Sequence, residues 1–229
     1  MITQSFSIFI KFNKPTFKLN CILCTCPDTI PILQNASPGY YACSQCGLFF
    51  MDPPSRLTKN EEKKRYDLHE NDPADPNYRD FLNQIYLPMA NRLAPGLTGL
   101  DYGSGPGPTL HLMFEEAGFN MNIFDPFYHP DTSALQQSYD FIVTTETAEH
   151  FYQPAEEFNR LWDLLNPGGI LGVMTKQLRD PSTFDSWYYR KDDTHVVFYQ
   201  IKTFKWLSNK YGAILEIIND RVILMHKSN

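Results

Sequence analysis

The sequence predicts an α/β protein, a mostly parallel doubly wound sheet with a small cysteine-rich unit in front of it. Three observations carry that expectation. An apolar strand, "GLTGLDY", runs into the turn Gly103-Ser104-Gly105-Pro106-Gly107 and then into the helical pattern "PTLHLMFEEAGF". Apolar strands and amphipathic helices then alternate almost to the C-terminus, as parallel strands joined by helical crossovers do. All five cysteines fall within the first 46 residues, four of them as two Cys-x-x-Cys pairs.

Composition sets the limits. A chain of 229 residues is long enough for one sizeable core and a small appendage. At 42% hydrophobic and 20% charged, it reads as a soluble globular protein. A net charge of -6 argues against broad electrostatic binding of nucleic acid, which requires a basic face. No stretch reaches the roughly 18 apolar residues of a membrane span. The opening "MITQSFSIFIKFNKPTFKL" is broken by Lys11 and Lys14 and lacks a small-residue cleavage site. It reads as a strand or ordered arm and not as a signal peptide, so the expected compartment is the cytoplasm.

The cysteine pairs come first along the chain. Cys21 and Cys24 are separated from Cys43 and Cys46 by eighteen residues between the pairs. That is the spacing of a zinc ribbon, in which two knuckles supply four thiolates to a tetrahedral Zn²⁺. Gly47 suits the second knuckle's turn, and Cys26 is left as a bystander. Four thiolates leave no open position, so the metal is expected to be structural. The ribbon and its preceding arm occupy residues 1–54.

Residues 55–95 form a helical linker. "LTKNEEKKRYDLH" has helical charge spacing with Thr58 as N-cap, and "NDPADPN" is a turn. "YRDFLNQIYLPMANRL" sets Phe81, Leu82, Ile85 and Met89 near one face, with Pro88 as a candidate kink. Tyr66, His69 and Asn71 lie where the two helices meet, placed to cover one side of a site.

The core occupies residues 96–229. After the glycine turn, Leu110, Met113, Phe114 and Ala117 share a helical face that Gly118 ends. "FNMNIFDP" is a second strand ending at Asp125. Fourteen residues then separate Asp125 from Asp140, too few for a helix, strand and helix. The usual third strand is therefore expected to be missing, although "YDFIVTTE" is plainly a buried strand. Phe158, Leu161, Trp162 and Leu165 make a helix face, Asn166-Pro167-Gly168-Gly169 is expected to stop that helix, and "ILGVMT" is the next strand. "IKTFKWLSNKYG" is a final helix. "AILEI" and "RVILMHK" form a hairpin around Asn219-Asp220, an antiparallel ending on a parallel sheet.

The turn departs from a dinucleotide fingerprint, whose third glycine would fall at Pro108. Taken with Asp101 two residues before Gly103, Asp125, "YDFIVTTETAEHF", "LLNPGGILGVMT" and "DDTHVVFY", the chain resembles the class I S-adenosylmethionine-dependent methyltransferases. The resemblance extends to the subgroup with an N-terminal zinc ribbon. It implies a Rossmann-like sheet with a trimmed third strand, and S-adenosylmethionine held by Asp101, Tyr102, Gly103, Ser104, Gly105 and Gly107. Asp125 would take the ribose hydroxyls, with Pro126, Phe127, Thr145 and Glu146 around the ligand. It is silent on the acceptor.

The acceptor side is sought at the carboxyl ends of the strands, where such sheets bind ligands. The segment "KQLRDPSTFDSWYYRKDDTHVVFYQ" is long for a connector and rich in aromatic residues, and reads as a substrate lid. His195 and His150 are the candidate bases, since histidine titrates nearest neutral pH. Glu149 stands beside His150 to orient it, to touch the cofactor or to bind the acceptor, and Asp193 offers a carboxylate near His195. Each histidine equally suits a structural role, His150 capping the helix at Pro154 and His195 bonding a backbone carbonyl. Tyr189 and Arg190 suit either an anionic acceptor or a plain surface role. The expected partner is a small-molecule methyl acceptor. Two alternatives are an RNA methyltransferase gripping substrate through the ribbon, for which Lys14, Lys18, Lys63, Lys64 and Arg65 would have to cluster, and a non-catalytic scaffold.

Overall fold

A computed structural model describes residues 19–32, 38–68 and 71–229. The expected N-terminal arm and His69 lie outside the described residues. The ribbon is built from β1 (Thr29–Ile32), β2 (Tyr40–Cys43) and β3 (Phe49–Met51), antiparallel neighbours with Thr29 opposite Cys43 and Tyr40 opposite Met51. Each Cys-x-x-Cys pair sits in a tight knuckle. The Thr25 N–H donates to the Cys21 carbonyl at 2.9 Å and the Gly47 N–H to that of Cys43 at 3.1 Å. Both closing residues have positive φ, 59° and 74°, which at the second knuckle glycine adopts without strain.

The linker holds α1 (Lys59–Tyr66) and α2 (Pro76–Ala90). Thr58 and Glu61 form a reciprocal capping box at the start of α1. Leu82, Ile85 and Met89 bury the inner face of α2. Pro88 falls in its last turn, close to where the helix ends anyway.

The core follows as β4 (Thr98–Tyr102), α3 (Leu110–Glu116), β5 (Asn120–Phe124), β6 (Tyr139–Thr145), α4 (Pro154–Leu164) and β7 (Leu165–Met174). The chain ends with β8 (Val197–Phe198), α5 (Ile201–Tyr211), β9 (Ile214–Ile217) and β10 (Val222–His226). The six-stranded sheet has the order β5-β4-β6-β7-β10-β9. Its first four strands are parallel, and β10 runs antiparallel to both neighbours. Where a third strand would normally extend the edge, the chain makes a bridge between Asp125 and His129 and a 3-10 turn over Thr132–Gln136. The short gap between Asp125 and Asp140 thus leaves β5 as the edge. On the inner sheet, a Cβ at Gly172 would lie 2.9 Å from the Met89 sulfur, so glycine lets α2 pack directly on β7.

Two expectations are corrected. Asn166-Pro167-Gly168-Gly169 does not stop α4; the helix ends at Leu164 and these residues already belong to β7. Leu165 pairs with Tyr139, and the register shifts before Phe141 meets Ile170. The intervening backbone is satisfied from the C-terminus, where the Lys227 N–H donates to the Gly169 carbonyl at 2.9 Å. Nor is the segment after β7 a free lid. Its end, β8, is the fourth strand of the ribbon sheet, with Phe198 opposite Phe49 and Val197 opposite Phe50.

Most aromatic residues of that segment therefore face protein, while Tyr188 stays exposed. Phe184, Phe198 and Tyr189 are buried, and Phe184 packs edge-on to Tyr40 at 5.1 Å and against Phe49 at 4.9 Å. Ribbon and core share one continuous apolar cluster through these rings. Phe198 is fully buried at the join. Phe198→Ala is expected to cost roughly 3–5 kcal/mol of stability, the usual range for emptying a core aromatic site. Urea unfolding checks this, and an unchanged midpoint would show that the two parts stand independently.

Candidate active site at the carboxyl ends of the strands

The glycine turn leaves β4 in a left-handed backbone. Gly103 has φ 79° and a Cβ there would lie 2.1 Å from the Thr147 methyl carbon. Thr147 Oγ1 donates to the Gly103 carbonyl at 3.0 Å, so the turn is clamped by the segment after β6. A Cβ at Gly107 would lie 2.2 Å from the Asn71 carbonyl oxygen. Gly105, φ 70°, faces open space on the crest between them. The turn is also tied to β5, as the Gly103 N–H donates to the Phe124 carbonyl at 2.7 Å. Ser104 Oγ is buried with no hydrogen-bond partner.

Asp125 closes the second side. Its Oδ2 accepts from the Gly105 N–H at 3.0 Å, and its Oδ1 from the Phe127 and Tyr128 N–H groups at 2.8 and 3.0 Å. The carboxyl thus sits against the open crest. Pro126 is exposed, and the Phe127 ring meets Tyr66 of α1 edge-on at 5.7 Å. Tyr102 is different. Its hydroxyl donates to Glu157 and accepts from Arg160 at 2.9 Å, so its side chain turns toward α4 and only its backbone meets the turn.

Asp101 lies beneath the turn, buried on all sides. Burial pushes its carboxyl up from 3.8 to about 7, with the nearby Asp125 adding to the rise against a bond from the His111 backbone. The folded chain therefore keeps this proton over a range in which the unfolded chain has lost it. The stability contribution is full below about pH 4 and is lost as pH rises from there to about 7. Asp101→Asn is expected to flatten that slope, gaining on the wild type between pH 4 and 7. Urea midpoints across the range test it; parallel profiles would contradict it.

The segment after β6 supplies the other wall. Thr145 Oγ1 is buried without a partner, and Glu146 is a non-glycine residue at φ 46°. Glu146 faces Arg221 at 3.3 Å, and its carboxyl is raised to about 8, first by burial and then by Glu149. Glu149 is fully buried in a 3-10 turn over Ala148–His150. Its Oε1 accepts the Tyr189 hydroxyl, while Oε2 has no partner. Burial by the protein and the negative charge of Glu149 and Glu146 keep the Tyr189 hydroxyl protonated, well above its ordinary range.

His150 and His195 come together, with ring centroids 4.9 Å apart. His150 Nδ1 lies 3.0 Å from the Thr194 carbonyl, and His195 Nδ1 lies 2.7 Å from the Tyr189 carbonyl. A carbonyl only accepts, so both protons sit on Nδ1 and both Nε2 atoms keep a lone pair. Burial lowers the affinity of His150 for a second proton. His150 does not cap α4, whose N-cap is Gln153. Asp193 is not the carboxylate beside His195; it pairs with Arg65 at 2.7 Å. Glu149 takes that place. Arg190 packs on Tyr40 and Phe184 and bonds the Phe184 and Asp185 carbonyls, away from this group.

Two residues of the site carried no signal in the sequence. Thr147 acts through its hydrogen bond to the Gly103 carbonyl and through the room left by the missing Cβ of Gly103. Arg221 arrives because β10 runs antiparallel to β7, which returns Val222 beside Met174 at the carboxyl end of the sheet.

Residues 74–216, well over half of the chain, match a family described as a methyltransferase domain. The chain belongs to this methyltransferase family. No curated protein matches it. Among solved structures, it is similar to the 1,6-didemethyltoxoflavin-N1-methyltransferase of Burkholderia thailandensis, bound to 1,6-didemethyltoxoflavin and S-adenosylhomocysteine. The identity is 12% and the TM-score 0.50, covering 87% of this chain and 99% of that one. A second, an O-methyltransferase family protein from Burkholderia thailandensis, is 14% identical at TM-score 0.48, covering 73% and 63%. A third is the phospholethanolamine N-methyltransferase 2 of Haemonchus contortus, with phosphomonomethylethanolamine and S-adenosylhomocysteine, 17% identical at TM-score 0.42. There the shared region covers 57% of this chain and only 37% of the relative. At these identities the likeness is one of fold: the sheet is that of class I methyltransferases.

The methyltransferase core is consistent with a nucleoside-bearing cation. The crest at Gly105 is open to a ligand, and Ser104 Oγ and Thr145 Oγ1 lack partners. Asp101, Asp125 and Glu146 line the walls with carboxyl groups, hydrogen-bonding partners suited to the polar edges of a nucleoside. The four ribbon sulfurs are likewise arranged for a metal. Cys21 and Cys46 Sγ lie 3.6 Å apart, and Cys24 and Cys43 Sγ 3.4 Å apart. A zinc tetrahedron with bonds of about 2.3 Å has edges of about 3.8 Å. These gaps are far longer than a disulfide bond of about 2.05 Å. Without a cation, hydrogen bonding from Cys46 pulls the Cys21 thiol down to about 5, while burial pushes that of Cys24 up to about 12.

Proposed function

We propose that this chain is an S-adenosylmethionine-dependent methyltransferase acting on a small organic acceptor, with a structural Zn²⁺ in the ribbon. The carrying observation is the Asp125 carboxyl set against the open crest of the glycine turn. Asp101, Gly103, Ser104, Gly105, Gly107 and the Tyr102 backbone would cradle the cofactor. Asp125 would hold its ribose, and Pro126, Phe127, Thr145 and Glu146 would complete the pocket. The cofactor, when bound, supplies a methyl group on a sulfonium carbon that an acceptor atom displaces in line.

The chain's own part is then to place and activate the acceptor. Tyr66 spans the two halves of the site, edge-on to Phe127 at 5.7 Å and to His150 at 5.3 Å. The acceptor belongs on the His150 side, where Glu149, His150 and His195 form the activating group. Positioning of this kind lowers the barrier by fixing the attack geometry, and proton handling adds about 10²- to 10⁴-fold. A small acceptor is favoured over RNA by the charges of α1. Lys63 pairs with Asp67 and Arg65 with Asp193, so two of the basic residues that would have to grip RNA are already taken up by acids. Lys14 and Lys18 lie outside the described residues.

Calorimetry with S-adenosylmethionine, S-adenosylhomocysteine and NAD⁺ should show binding of the first two only; preference for NAD⁺ would reject the reading. Asp125→Asn keeps an acceptor for the backbone N–H groups but loses the charge. A charged hydrogen bond contributes roughly 1.5–3 kcal/mol, so S-adenosylmethionine affinity should fall at least about tenfold. His195→Ala should leave that affinity nearly intact and lower turnover by about 10²-fold or more. Lost stability with full activity per folded molecule would make His195 structural. Metal analysis should give one zinc that resists dialysis, lost on replacing Cys21, Cys24, Cys43 or Cys46 by Ser.

A further inference from the structure

The Glu149, His150 and His195 group poses a problem of lone pairs. One ligand-capable atom from each of the three lies within 4.8 Å of the others. Both histidines are bound through Nδ1 to backbone carbonyls, so each retains only an acceptor, Nε2, on its far edge. Glu149 is fully buried, its Oε1 bonded to Tyr189 and its Oε2 without any partner. A buried carboxylate oxygen left without a partner beside two imidazoles that carry lone pairs is unfavourable unless something positive lies among them.

The surroundings are those of metal ligands. A ligating histidine donates its other ring N–H to a carbonyl or carboxylate, and a ligating carboxylate is itself hydrogen-bonded. Here Thr194 and Tyr189 supply the two carbonyls, and the Tyr189 hydroxyl holds the carboxyl. These partners are rigid. The Val196 N–H donates to the Glu149 carbonyl at 2.9 Å, and the Tyr199 hydroxyl to the Ala148 carbonyl at 2.8 Å. Two histidines and one carboxylate leave coordination positions open, unlike the four-thiolate ribbon.

We propose that Glu149, His150 and His195 bind a divalent transition-metal cation on the acceptor side of the site, distinct from the ribbon metal. Imidazole and carboxylate ligands suit Zn²⁺, Fe²⁺ or Co²⁺ at about 2.0–2.2 Å. The open positions would take an oxygen or nitrogen donor of the acceptor. The acceptor class is therefore one that can ligate a metal through the atom to be methylated or its neighbour. This rests on the methyltransferase reading for the acceptor's place, but cation binding itself does not require it.

The test uses the full-length chain with its ribbon zinc in place, dialysed against a weak chelator and titrated with Co²⁺ alone. One further equivalent is expected, with the ligand-field absorption of a nitrogen and oxygen site and no thiolate charge-transfer band. Glu149→Gln and His150→Ala should abolish that equivalent, and Tyr189→Phe should weaken it roughly 10- to 100-fold. Crystals of the unaltered chain soaked in Co²⁺ should give an anomalous peak between the three side chains, a result that depends on no variant folding. Absence of the peak and of the extra equivalent would overturn the proposal and leave a shared proton in the gap, as would equal affinity in Glu149→Gln. Calorimetry with S-adenosylmethionine on the same metal-depleted sample keeps the two readings apart. Binding there without a Co²⁺ site rejects only the cation, whereas a Co²⁺ site without cofactor binding rejects the methyltransferase reading and keeps the site.

Discussion

Pairing between β3 and β8 holds the molecule together. Phe49 faces Phe198 and Phe50 faces Val197, which makes the end of the segment after β7 the fourth strand of the ribbon sheet. His195 lies two residues before β8, and the Val196 N–H reaches back to the Glu149 carbonyl. The group formed by Glu149, His150 and His195 is thus fixed between the cysteine knuckles and the parallel sheet. The ribbon has little core of its own, and its largest side chains, Tyr40 and Phe50, are buried against residues from the far end of the chain or from their own sheet. Cysteine knuckles, aromatic cluster and site geometry are one mechanical unit.

The sheet and its ligand face could be read from the sequence because they rest on local chemistry. The glycine turn needs positive φ at Gly103 and Gly105, and glycine says so directly. The missing third strand followed from a count of residues between Asp125 and Asp140. The cysteine spacing brought four sulfurs together, as found. Patterning failed where a neighbour decides. Asn166 to Gly169 carries the residues of a helix stop, yet its backbone finds partners in β6 and at Lys227, so it is strand. The aromatic run after β7 looked like the wall of a cavity because aromatic residues suit both ligand pockets and cores. Only the tertiary pairing with Phe49 shows that Phe184 and Phe198 are core.

The candidate site was legible to a similar depth. Glu149, His150 and His195 are legible one by one as candidates from their types, and the fold brings the three together. Their relation was misassigned, with Asp193 as the partner of His195. Asp193 and Glu149 are both acids near a histidine in sequence, and only the fold turns one toward Arg65 and the other inward. Tyr102 shows the same limit. It lies inside the cofactor motif, but strand alternation sends its side chain to Glu157 and Arg160. Motif membership specifies the backbone and leaves the side chain's direction to the pleat.

The β3 and β8 pairing also bears on how the protein comes into being. The ribbon leaves the ribosome before the core, yet its outer strand, Val197–Phe198, is made only after the whole of β4 to β7. Until then β3 presents an unpaired edge and Phe49 and Phe50 lack their cover. Joining segments so far apart carries a loop-closure penalty that grows only slowly with length but must be met before the contacts form. Synthesis from N- to C-terminus therefore makes the cysteine knuckles early and completes their sheet late. A truncated chain ending before Val197 would carry its cysteines correctly spaced and still expose an adhesive β edge.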